Sequence, residues 1–170
     1  MSDKMNEQTQ KELENLPASE VVTRNPLVRA ELEQLKEYVG VRFDMYRALE
    51  QSGCEHGNLL LDKLKRGARR DLVVCEAWCG TNGVDGCDSR EFNDQTLKEF
   101  ERLVNRANAL CDQVWEHGFS LHARELAKQE WQLSRLIASV ITQESDAELR
   151  RFLSAQYASA QIYSEMLKAA

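Results

Sequence analysis

Residues 93–144 read NDQTLKEFERLVNRANALCDQVWEHGFSLHARELAKQEWQLSRLIASVITQE, with one glycine, Gly118, and no proline. Apolar residues recur at helical spacing: Leu97, Phe100, Val104, Ala107, Cys111 and Val114. After Gly118 the register shifts to Phe119, Leu126, Leu133, Ile137 and Val140. A stripe of that period without a breaker predicts one long third helix, continuous or kinked, or two helices meeting at Gly118. A continuous rod would be about 75 Å long at ~1.5 Å per residue and would overhang its shorter partners. An overhanging apolar stripe is ordinarily covered by another chain, so a homodimer is expected.

Upstream, Asn25-Pro26 is a helix start: a capping side chain followed by proline at the first helical position. Val28, Leu32, Leu35, Val39, Tyr46 and Leu49 follow on one face, interrupted by Arg42, until Ser52-Gly53. A second helix is predicted from Asn58 to Gly80, with Leu61, Leu64, Ala68, Leu72, Cys75 and Trp78 or Cys79 inward. Gly67 sits in its middle as a weak point, and Gly80 suits a left-handed terminal position. The third helix starts between Ser89 and Gln95, with Asp88 and Glu91 as a capping pair. Downstream, Ser145-Asp146-Ala147-Glu148 is a capping box for a last helix carrying Leu149, Phe152, Leu153, Tyr157, Ala160, Tyr163 and Leu167.

No alternating strand pattern competes, and the connections are short. The expected fold is therefore all-α, an elongated antiparallel up-and-down helical bundle. Residues 25–170 form it, and residues 1–24 are a polar tail or short accessory helix stopped by Pro17. The composition agrees: 42% hydrophobic and 29% charged residues, two prolines and eight glycines in 170 residues.

Charge and cysteine content narrow the function classes. With 22 Lys and Arg against 28 Asp and Glu, the formal net charge of −6 disfavours general nucleic-acid binding. The amino terminus lacks the apolar core of an export signal, and no run of eighteen apolar residues exists to span a bilayer. Five cysteines, an odd number, then imply free thiols in a reducing cytoplasm.

Several chemistries can be weighed by spacing. Cys75, Cys79 and Cys87 lack a nearby fourth ligand for structural zinc, and packed apolar thiols explain them better. A redox-reactive pair of Cys79 and Cys87 is the rival. Antiparallel pairing of the helices would gather Cys54, His56, Cys111, His117 and His122 at one pole, a zinc alternative with low specificity. No Glu-x-x-His pair supports a di-iron bundle, and Glu55-His56 and Glu116-His117 are adjacent, pointing to different faces. Gly80, Gly83 and Gly86 follow a helix, not a strand, so they are no dinucleotide fingerprint. Asp85, Asp88, Glu91 and Asp94 sit one residue short of a calcium loop and suit the positive start of the third helix.

No residue set nominates an enzyme or a resident cofactor. The expectation is a non-enzymatic bundle acting through protein–protein interaction, as an adaptor, regulator or inhibitor of bacterial or phage type. The expected partner surface comprises the basic cluster Lys63, Lys65, Arg66, Arg69 and Arg70, and the overhang carrying Phe119, Leu126 and Trp131. Two alternatives remain: a metal- or redox-sensing bundle, and a nucleic-acid regulator using the basic cluster of residues 63–70. The cluster has no interleaved aromatic, which leaves nucleic acid the least favoured partner.

Overall fold

Asn25 caps the first helix through its side chain, which accepts from the Val28 N–H at 3.4 Å, with Pro26 in the first turn. In the computed structural model, which describes residues 25–48, 58–84, 92–118 and 121–169, five helices follow one another without a strand. They are α1 (Pro26–Arg47), α2 (Asn58–Thr81), α3 (Gln95–His117), α4 (Ala123–Gln143) and α5 (Ala147–Ala169). The elongated antiparallel bundle is thus the observed architecture. No helix among the described residues is long and apolar enough to cross a membrane.

The 93–144 stretch is two helices. Gly118 takes φ +90°, a conformation L side chains rarely adopt, and its N–H closes the last turn on the Val114 carbonyl. The chain then reverses: Arg106 of α3 meets Glu125 of α4 at 3.1 Å, and Trp131 shares a groove with Arg102 and Leu103. α4 therefore runs back along α3, and the overhang that prompted the homodimer expectation does not form. The register shift seen in the sequence is the signature of this reversal, because two helices facing one core from opposite sides need independent stripes.

Neighbouring helices close a ring in the order α1, α3, α4, α5, α2 and back to α1. α1, α3 and α5 point one way and α2 and α4 the other. The ring interior is lined by Leu32, Leu35, Val39, Leu64, Phe100, Leu133 and Ile137, all at most 2% exposed. Fully burying such a side chain contributes about 1.5–3 kcal/mol. Trp78 stacks on Phe152 with ring centroids 4.4 Å apart, tying α2 to α5.

Helix ends differ in detail from the sequence expectations. α1 stops at Arg47, short of Ser52-Gly53, and Leu49 lies outside the described residues. α2 runs through Gly80; the left-handed residue is Gly83, φ 64°. Val84 N–H donates to the Cys79 carbonyl and Gly83 N–H to that of Gly80, a two-bond cap that also buries Val84. Asp94, not the Asp88–Glu91 pair, caps α3 by accepting from Leu97 N–H at 3.1 Å; Asp88 and Glu91 lie outside the described residues. Asp146 rather than Ser145 caps α5, accepting from Leu149 N–H at 2.8 Å. In both cases a charged carboxylate caps the N–H three residues on, where the positive end of the helix favours it.

Candidate functional site

The residue that interrupts the stripe of α1 turns out to organise the interior. Leu35, Val39, Arg42 and Tyr46 are spaced four, three and four apart, so Arg42 must face inward. On α4, Leu126, Glu130, Leu133 and Ile137 repeat that spacing, so Glu130 must do the same. The two meet as a forked pair: Arg42 Nε to Glu130 Oε1 at 2.7 Å and Nη2 to Oε2 at 2.6 Å. Arg42 is 0% and Glu130 1% exposed.

Tyrosines complete the lining. Tyr46 Oη donates to Glu130 Oε1 at 2.9 Å, and Tyr163 Oη donates to Asp71 Oδ2, which brings α2 and α5 into the same cluster. The Arg42 guanidinium lies 5.5 Å from the Tyr38 ring centre and 4.8 Å from that of Tyr163. Tyr46 and Tyr163 pack edge to face at 5.9 Å. Gly67 owes its place to this packing, since a Cβ there would stand 2.7 Å from Tyr163 Oη. It is a site of close approach in a helix that continues unbroken through it.

Protonation in the cluster is locked. Burial alone lowers the hold of Arg42 on its proton, but the charge of Glu130 and its hydrogen bond more than offset this. Burial, then the negative Glu130, hold Tyr38 and Tyr46 well above the usual phenol range; burial and the Asp71 bond raise Tyr163. A permanent cation surrounded by phenols that keep their protons, sealed from solvent, is suited to fixing four helices in register. It is poorly suited to proton transfer.

Turning one residue along α4 changes the environment completely. Locking Glu130 inward swings Trp131 by about 100°, a 3.6-residue turn's share per residue, out to the surface. Trp131 is 44% exposed. It stands between two grooves: one of about 360 Å³ toward α3, lined by Glu99, Arg102, Leu103, Arg106, Gln132, Arg135 and Leu136, and one of about 340 Å³ toward α5, lined by Arg124, Ala127, Lys128 and Lys168. Along α4, Arg124, Lys128, Trp131 and Arg135 form a ridge about 16 Å long at ~1.5 Å per residue. Arg135 covers part of the indole, its guanidinium 4.9 Å from the ring centre.

Of these cations, Arg106 and Lys128 share Glu125 and Lys168 pairs with Glu165. Among the described residues no carboxylate forms an ion pair with Arg102, Arg124 or Arg135.

The residues nominated from sequence fare unequally. Trp131 is exposed on the outer face of α4. Leu126 is not: at 1% exposure it belongs to the core, because the reversal at Gly118 puts its face against the ring interior. Phe119 lies outside the described residues, as do Cys54, His56 and Cys87. In the basic cluster of α2, Lys63 and Arg69 are exposed, Lys65 is half-buried, Arg66 bonds Asp62 at 3.0 Å and Arg70 reaches Asp71 at 4.0 Å. This cluster sits on a different side of the ring from Trp131.

Cys79 is fully buried beside Cys75, whose thiol is pushed up by a hydrogen bond to Cys79 and by burial. Cys111 is half-buried on α3, His117 is exposed against Glu116 at 3.5 Å, and His122 opens α4 half-buried. Among the described residues no group of three or more His, Cys, Asp or Glu is placed to hold a metal ion.

Two features escaped the sequence reading. The Arg42–Glu130 pair was signalled by opposite charges in apolar slots of two helices. The cations of α3 and α4 around Trp131 are spread over 102–135 and form a cluster only once the chain reverses. Comparison with family models, curated proteins and solved structures gives no match for this chain.

Proposed function

We propose that this chain works by binding and not by catalysis, as an adaptor, regulator or inhibitor that engages a protein partner through the outer face of α4 and the flanking edges of α3 and α5. The observation that carries this reading is Trp131, a large aromatic left 44% exposed between two grooves. Tryptophan and arginine dominate the residues that hold protein complexes together, and a groove beside each lets a partner's side chains exclude water. The clamp behind Trp131 supports the reading too: a rigid platform loses little freedom on association.

The test is a comparison of captures from the native host with the wild-type chain, Trp131→Ala and a control altered on α2, Arg66→Glu/Arg69→Glu. A protein retained by the wild type and the α2 control but lost with Trp131→Ala supports the reading. Partners indifferent to Trp131 remove its basis.

A further inference from the structure

We infer that the ligand of the Trp131 surface is an acidic segment of a protein, with carboxylates alternating with apolar side chains. The inference rests on the binding reading above and specifies the partner's chemistry. Its basis is a charge inversion: a chain of net charge −6 concentrates Arg102, Arg106, Arg124, Lys128, Arg135 and Lys168 around one indole, against one acid, Glu99, in the lining of the two grooves. Three of these, Arg102, Arg124 and Arg135, have no ion-pair partner among the described residues. Planar guanidinium groups match carboxylates two bonds at a time, so a partner's Asp or Glu would satisfy them.

The apolar part follows from the groove floors. Leu103 and Leu136 line one groove and Ala127 the other, giving a Leu- or Phe-sized side chain a place on each side of Trp131. A nucleic acid fits less well. The Arg135 guanidinium over the indole occupies a position that a stacking base would need.

The inference can be tested by selecting random twelve-residue peptides displayed on phage against the wild-type chain, Trp131→Ala, Arg135→Glu and Arg102→Glu/Arg135→Glu. The altered residues are exposed, and thermal unfolding verifies that each variant folds. The expected Trp131-dependent pool is rich in Asp and Glu interspersed with Leu, Ile or Phe. A synthetic peptide from it should bind the wild type at least tenfold tighter than each variant and weaken as salt rises. A Trp131-dependent pool of neutral or basic peptides overturns the acidic class while leaving the binding surface intact. Single-stranded oligothymidylate of equal charge, bound as tightly as the peptide, overturns the choice of a protein ligand. Absence of any Trp131-dependent enrichment sinks both this inference and the binding reading.

Discussion

Glu130 and Trp131 are consecutive residues of one helix, and each is bound up with arginine, yet their surroundings are opposites. Inside, one cation is matched by one carboxylate in a forked geometry, with phenols filling the remaining space. Outside, several cations gather around an aromatic ring with too few carboxylates to match them. The interior charges are matched within the fold, with Arg42 Nη1 and the Tyr38 hydroxyl left without a hydrogen-bond partner among the described residues. The outer charges are not, and that difference separates a device that holds the fold from a surface that receives something.

The most severe way to break the interior side is to remove half of the clamp. Arg42→Met or Glu130→Leu alone should cost about 3–5 kcal/mol, because each strands a buried charge. The double substitution should recover most of that loss, as apolar replacements of buried pairs often do. Urea denaturation of the three variants would decide it, and additive losses would show that the two residues do not act as a pair.

A milder break adds one methyl group. Gly67→Ala should destabilise by about 1–3 kcal/mol by pressing on Tyr163, outweighing the gain in helix propensity. Removing the hydroxyl in Tyr163→Phe should relieve much of the clash, so the pair should be markedly less than additive relative to the two singles. Equal losses with and without the hydroxyl would place the crowding elsewhere.

A buried acid without a cation sharpens the comparison further. Glu31, 8% exposed, faces Asp94 at the start of α3 and Glu144 at the end of α4; burial first, then these two charges, push its carboxyl up to about 7. Glu144 is itself raised, by burial and Asp146. The folded state therefore favours protonated Glu31. Its stabilising contribution is complete below the ordinary carboxylate value of 4.5 and disappears as pH rises through about 7. Melting temperature should fall between pH 5 and pH 8 in the wild type, with a shallower fall in Glu31→Gln. An unchanged profile in that variant would remove Glu31 as the cause.

The smallest effect on stability belongs to the outer surface. Trp131→Ala and Arg135→Glu should each shift folding stability by no more than about 0.5–1 kcal/mol, within the range of surface substitutions. A larger loss in calorimetry would mean that the ridge is part of the scaffold.

Much of the framework could be read from periodicity, because apolar stripes and caps are local signals. Leu97, Phe100, Val104, Leu133 and Ile137 all face the core where their spacing put them. The reversal at Gly118 was one of two readings, and only a tertiary preference for closing the ring decides between a rod and a hairpin. Arg42 was visible as a gap in a stripe, but its meaning depended on Glu130, eighty-eight residues away. Likewise, the basic run of residues 63–70 drew notice by density. The cations around Trp131 did not, since helix geometry scatters one surface along the chain. The α5 cap fell one residue from its expected place and the left-handed glycine after α2 three, because several capping and turn residues sit side by side at those helix ends.

Five alternating helices leave residues 25 and 169 at opposite poles, where an even number would have brought them back together. Helix α1, 22 residues long, sets that separation at about 33 Å given ~1.5 Å of rise per residue. Anything tethered to the two ends is held apart by a stiff strut, and a pull between them is carried sideways from helix to helix, with the buried arginine cross-linking them nearer the Arg47 end of α1.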